Sequence, residues 1–160
     1  MKNKGYVLIV KDTDISKRFY QDVIGVTIQV DLGAYVMFKE NFSLLQEETW
    51  LQFNGKKDLT ITYHHNSGEL YFEEDMLDAF AGKLLQRADI QVLTPIKEYE
   101  WGQRSMKFYD PDGHVFEVGE SMEMVVKRFL RSGMSVEETV QKSMFPLPFV
   151  EMCRDELLQQ

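Results

Sequence analysis

Cysteine, positive charge and long apolar runs are all scarce in this chain, and each scarcity removes a class of explanation. One cysteine in 160 residues cannot form an internal disulfide. That residue, Cys153, lies among helix formers, the setting of a packed thiol rather than an activated nucleophile. No run of about 18 apolar residues is present, so no membrane span is expected. No charged, then apolar, then small-residue leader opens the chain, so a cytoplasmic protein is expected. Lys and Arg number 18 against 26 Asp and Glu, a net charge of −8, and the basic residues form no stripe. Such a surface repels phosphate backbones and anionic lipid, which argues against nucleic acid or a membrane as partner. A neutral or cationic small molecule is accommodated more easily. Hydrophobic residues make up 44% of the chain, enough for one sizeable core but not for two complete ones.

The remaining residues read as one pattern written twice. YVLIV at 6–10 has the β-branched and aromatic make-up of a strand, and DTDISKRFYQDVIG then sets Ile15, Phe19, Tyr20 and Val23 on one helical face before Gly25. VTIQVD, AYVMFKE and FSLLQE follow as three strands joined by short turns at Leu32-Gly33 and Glu40-Asn41. From Glu69 the order returns. ELYFEE is a strand, DMLDAFAGKLLQRA a helix with Leu77, Phe80, Leu84 and Leu85 inward, and IQVLTPIKEYEW, RSMKFYD and HVFEVG are strands. Two βαβββ units, about 5–48 and 69–119, are joined by a connector at 49–68 with one extra strand expected at LTITYH. Each unit alone leaves a sheet face uncovered, and pairing the units buries that area at about 25 cal/mol per Å². The fold class is therefore α+β: paired βαβββ units forming a curved mixed sheet around a pocket, within a domain spanning 1–120.

A helical tail, 121–160, completes the chain. Met122, Val125, Val126, Phe129 and Leu130 form an apolar stripe, Gly133 is a stop, and Ser135 with Glu138 has capping-box spacing. Pro146 and Pro148 in MFPLPFV interrupt the helix, after which Phe149, Cys153 and Leu157 recur at intervals of four. The tail covers the sheet or grips a second subunit. Lys127, Arg128 and Arg131 are too few for nucleic acid and suit the C-terminal end of a helix.

The most informative stretch is WGQRSMKFYDPDGHVFEVGE, 101–120. Asp110-Pro111-Asp112-Gly113 is a turn with a mechanism, since Pro presets φ and Gly allows the positive φ that rejoins the strand. In the returning strand Phe116 and Val118 belong under a helix, so period two turns Glu117 to the other, concave face. The same rule turns Glu69, Tyr71 and Glu73 inward from the first strand of the second unit. Two strands thus aim carboxylates at one hollow.

These residues resemble the vicinal oxygen chelate superfamily, which includes glyoxalase I, bleomycin-resistance proteins, fosfomycin-resistance thiol transferases and extradiol dioxygenases. The likeness rests on VKDTDISKRFYQDVIGV at 10–26, ELYFEEDMLDAFAGKL at 69–84 and, above all, the 101–120 stretch. It implies paired βαβββ units around a pocket and a homodimer. In metal-using members the ligands come from the first and last strands of each unit. By that resemblance Glu117 stands at a final-strand glutamate position and Glu69 at a histidine position. Gly5 stands where the first unit has its histidine, and Leu44 or Leu45 where it has a glutamate, with Gln46 just beyond. Two carboxylates do not make a redox-metal site, so no cofactor is expected. A divalent ion held by Glu69 and Glu117, with Gln46 or His65 added, is the alternative.

Other residues carry paired readings. His64 and His65 either enter the pocket or stay exposed, and His114 faces away from Glu117. Trp101, Tyr71 and Tyr109 are an aromatic wall for a planar or cationic guest, or ordinary core. Arg104 binds a ligand carboxylate, or pairs with an acidic neighbour across the sheet. Three functions follow. The first is a metal-free binder of a small organic molecule over the acidic floor of Glu69, Glu73 and Glu117. The second is a metal-dependent lyase, isomerase or dioxygenase with a Lewis-acid ion. The third is an interaction module that docks through its tail.

Overall fold

The structure is a computed structural model describing residues 1–55 and 59–159. It divides into two compact units, Met1–Gly68 with Tyr109–Val115, and Glu69–Phe108 with Phe116–Gln160. Both repeat the same plan.

In the first unit β1 (Tyr6–Val10) leads to α1 (Thr13–Phe19), a π-helical turn at Tyr20–Ile24, and then β2 (Ile28–Asp31), β3 (Tyr35–Phe38) and β4 (Phe42–Gln46). The strand order is β1-β4-β3-β2, with β1 parallel to β4 and the other pairs antiparallel. Asp12 starts α1 because its carboxylate accepts from the amides of Asp14 and Ile15. Gly25, at φ 81°, ends the π-turn. The core is aromatic. Tyr20 meets Phe38 and Phe42 edge-on, with ring centroids 5.8 and 5.5 Å away. Leu8, Val10, Val36 and Leu44 complete it. Ile15, expected on the inward face, is 49% exposed, because Thr13, Ser16 and Phe19 take that face instead.

The second unit runs β5 (Glu69–Glu74), α3 (Leu77–Leu84), β6 (Val92–Glu98), β7 (Arg104–Tyr109) and β8 (Val115–Glu120), α2 lying earlier in the chain at Glu47–Asn54. Its strand order, β5-β8-β7-β6, reproduces that of the first unit. The eight strands hydrogen-bond as two four-stranded sheets, one for each βαβββ unit. On the helix face Phe116 stacks between Phe72 and Phe108 at 5.8 and 5.9 Å, and Phe80 of α3 reaches Phe108. Leu85 is exposed because α3 ends one residue before it. Pro95 in β6 costs no inner ladder bond, since β6 is an edge strand.

The connector differs from its expected form. Residues 47–54 are helical, with Glu47 and Glu48 in the first turn and Gly55 in the left-handed conformation at the C-cap. LTITYH forms no strand. Its β-branched residues have no ladder to join, and His64 turns to φ 56°. Residues 56–58 of the connector lie outside the described residues.

The tail forms α4 (Met122–Arg131), α5 (Val136–Ser143) and α6 (Leu147–Leu158). Ser135 and Glu138 make the expected capping box, and Pro146 and Pro148 open α6. Val126, Val150 and Cys153 form a buried centre surrounded by Leu130, Val140, Phe145 and Phe149. Burial pushes the Cys153 thiol up, so it stays protonated. Lys127 bridges Glu123 and Glu156, joining α4 to α6. Among the described residues no helix is long and apolar enough to cross a membrane.

The Phe129 ring of α4 seats on Gly102, which has φ 89° and where an added Cβ would lie 2.0 Å from Phe129 Cζ. Strain and overlap together predict that Gly102→Ala destabilises the protein by about 2–4 kcal/mol in urea unfolding. Adding Phe129→Leu should recover part of that loss, because it relieves the overlap alone.

Candidate functional site

The strands of the second unit bring the predicted carboxylates together, and a lysine stands between them. Glu69 opens β5 and Glu117 lies mid-way along β8, a direct neighbour of β5. Lys107 of β7 reaches both: its Nζ is 2.6 Å from Glu69 Oε2 and 3.0 Å from Glu117 Oε2. The other Glu117 oxygen accepts from Ser105 Oγ at 2.5 Å. Burial pushes the Glu117 carboxyl up, but the bonds from Ser105, Lys107 and the neighbouring Glu69 carboxyl outweigh it, so Glu117 is held below the usual range. Burial likewise pushes Lys107 down, yet its two carboxylate bonds dominate and raise it. At neutral pH Glu117 is therefore ionised and Lys107 protonated.

Lys107 was missed in the sequence, although a signal was present. Asp110 N donates to His114 O across the turn at 3.0 Å. Counting back along both strands from that bond places Lys107 opposite Glu117.

Beyond Glu117 the same face carries Gly119. A Cβ there would meet Gln103 Nε2 at 2.9 Å and Tyr71 OH at 3.0 Å, so only glycine lets these groups cross the strand. Gln103 Nε2 donates to Tyr71 OH at 2.5 Å and to Glu120 O at 3.0 Å, and its Oε1 accepts from Trp101 Nε1 at 3.3 Å. Tyr71 OH donates to Glu73 Oε1 at 3.0 Å. Desolvation, opposed by the Gln103 bond and reinforced by Glu73, pushes the Tyr71 hydroxyl up to about 12. Tyr99 stacks on Trp101 at 4.7 Å, and its hydroxyl lies 3.4 Å from Ser105 Oγ. Gln103, Ser105 and Tyr99 were also missed. A glycine inside a strand pattern was the available hint to the first.

Two predicted pocket residues are engaged by other partners. Arg104 shares the helix face with Met106 and Phe108, because alternation separates it from Ser105 and Lys107. Its guanidinium takes Glu120 bidentately at 3.2 and 3.1 Å and Asp78 at 3.0 Å, so it pairs within the fold. Tyr109, at the end of β7 and two residues on from Lys107, is engaged by its own partners: its hydroxyl donates to Asn66 Oδ1 at 2.9 Å and its ring meets His64 at 5.0 Å. The remaining candidates also have local partners. His65 Nδ1 takes the Ser67 amide at 3.1 Å, Gln46 Oε1 takes Thr13 Oγ1 at 3.4 Å, and His114 Nδ1 lies 2.8 Å from Asp110 Oδ2.

A family model described as a glyoxalase-like domain matches residues 3–123. The chain belongs to the glyoxalase-like family, within the vicinal oxygen chelate superfamily. It is 31% identical over 111 residues to a metallothiol transferase FosB of Lysinibacillus sphaericus, covering 68% of this chain and 74% of that protein. Among solved structures it is similar to a protein of unknown function from Agrobacterium tumefaciens, with 31% identity, TM-score 0.67, and coverage of 76% and 94% of the two chains. A glyoxalase-related enzyme from Fulvimarina pelagi shares the fold at 19% identity and TM-score 0.62, with coverage of 76% and 89%.

Membership raises the question of a metal, and the donors of this glyoxalase-like chain do not fit one as they stand. At Gly5 φ is 112° and an added Cβ would lie 2.2 Å from Asn41 O, so no ligating side chain is accommodated there. Glu69 and Glu117 turn oxygens to Lys107, and the second Glu117 oxygen is taken by Ser105. No group of three or more metal-ligating His, Cys, Asp or Glu residues forms among the described residues.

The lysine makes a signed prediction about pH. Glu117, depressed in the fold, contributes stability above its ordinary value of 4.5 that is lost as pH falls through the lower folded value. Lys107, raised in the fold, contributes stability below 10.5 that is lost as pH rises through the higher folded value. Lys107→Met should therefore cost about 1–2 kcal/mol at pH 7, a figure reduced for the partial exposure of the group. The deficit should shrink as pH falls below 4.5 and Glu117 protonates, and in the variant the Glu117 carboxyl should titrate higher by carbon-detected NMR.

Proposed function

We propose that the protein binds a small organic molecule, neutral or cationic and with a planar or aromatic part, on the open sheet face of its second unit. The observation that carries this reading is the juxtaposition of a hydrogen-bonded aromatic row with a charged cluster on one face. Tyr71 and Trp101 supply flat surfaces with polar edges, tied together through the buried Gln103. Glu69, Lys107 and Glu117 supply a net negative floor. Aromatic faces and a carboxylate excess both attract a cation or an electron-poor ring. Within a ligand complex Glu117 and Glu73 accept hydrogen bonds, Tyr71 and Trp101 stack, and Ser105 keeps Glu117 ionised and oriented.

The likeness to a metallothiol transferase favours a second reading, a metal-dependent transferase or lyase. Against it stand the closed Gly5 position and the ammonium between the carboxylates. The tail is a weaker candidate for a docking arm, because Val126, Val150 and Cys153 pack into its own centre.

A thermal-shift screen of cationic aromatic compounds tests the first reading. Hits should weaken about tenfold in Glu117→Gln and in Trp101→Ala, a loss of about 1.4 kcal/mol each. Equal shifts in the wild-type protein and both variants would remove this face from the binding role. Stoichiometric nickel, zinc or manganese in protein purified without chelator would favour the second.

A further inference from the structure

We infer that Lys107 is the resident cation of this site, a covalently supplied ammonium that occupies the space between Glu69 and Glu117 and excludes a divalent ion from it. Two carboxylates that converge from separate strands repel unless a proton or a cation lies between them. Here the cation comes from a third strand. β8 lies between β5 and β7 in the sheet, so its Glu117 has acidic and basic neighbours on its two sides. Lys107 Nζ sits 2.6 and 3.0 Å from the two carboxylates, ordinary lengths for charge-assisted hydrogen bonds.

A divalent ion bound by oxygens needs distances of about 2.0–2.6 Å. An ion that close to both carboxylates would fall against the ammonium, so the two cannot share the site. Ser105 adds to the competition by donating to the other Glu117 oxygen, which engages one of its two lone pairs. The ammonium has three N–H groups and these carboxylates use two, which leaves one for an oxygen acceptor on a ligand. A carbonyl or hydroxyl oxygen would therefore meet a hydrogen-bond donor where a metal-using protein offers a Lewis acid.

Manganese(II) alone is the probe, because it is a hard, oxygen-seeking ion and is visible by electron paramagnetic resonance. The wild-type protein at pH 7.5 should show no saturable binding at millimolar Mn²⁺. Lys107→Met and Lys107→Gln should each gain it, with a saturable rise in Tm of about 3–6 °C that disappears when Glu117→Gln is added. Two results overturn the inference: saturable Mn²⁺ binding by the wild-type protein that Glu117→Gln abolishes, or no gain of binding in either folded lysine variant. Lys107→Gln keeps a hydrogen-bond donor between the carboxylates, so it guards against failure of the methionine variant to fold. Neither result depends on finding an organic ligand, so this inference and the small-molecule reading stand or fall separately.

Discussion

The register of one hairpin governs most of what is chemically distinctive here. Asp110 accepts from the amides of Asp112 and His114, at 3.0 and 2.7 Å, while Gly113 takes φ 85°. The turn can close in only one way under those bonds. That closure sets Lys107 against Glu117, and a slip of one residue would turn either side chain to the other face. The same two aspartates are anchored within the first unit. Tyr20, wholly buried, donates to Asp110, and the Lys11 amide donates to Asp112 at 3.0 Å. Burial and the adjacent Asp110 carboxylate keep the Tyr20 hydroxyl protonated. The aspartates of the turn are thus fully engaged in holding its shape.

Strand alternation then gives two glutamates of β8 opposite fates. Glu117 lies on the open face with Ser105 and Lys107. Glu120 lies on the helix face and is held by Arg104 and Arg128, with the latter also donating to Gly102 O at 2.5 Å. Burial pushes the Glu120 carboxyl up, and the two guanidinium groups overcome it and hold it low. Removing either arginine would leave a nearly buried carboxylate under-compensated, the costly half of an ion-pair arrangement. Glu120 therefore ties α4 to the strand edge, whereas Glu117 lies on the opposite face with Ser105 and Lys107.

The order of elements within each βαβββ unit, both hairpin turns of the first unit and the capping box at Ser135 were legible in the sequence. Each depends on local period or on turn chemistry. What was not legible depended on neighbours across the sheet. The β-branched LTITYH run looks like a strand by composition, but a strand exists only where a partner offers its ladder. Arg104 and Lys107 are both basic residues of β7, and composition alone does not separate them. Their parity does, once the hairpin register is counted: Arg104 falls with Phe108 and Lys107 with Ser105. Gln103 was hidden for another reason, since its position only gains meaning through the missing Cβ of Gly119.

A fixed ammonium and a bound metal solve the same electrostatic problem with different consequences. A divalent ion neutralises two carboxylates completely and retains open coordination positions for substrate oxygens. An ammonium neutralises one charge of the two and offers a single directed donor, so the face keeps a net negative charge. It also needs no supply of metal and is present as soon as the chain folds. Under the proposed reading, such a site holds a ligand by charge and hydrogen bonding, whereas a metal would polarise a bond for cleavage. The aromatic row beside it, tied together through Gln103, extends that character from charge to shape. By that inference the chain keeps the strand geometry of its family and changes what the geometry presents.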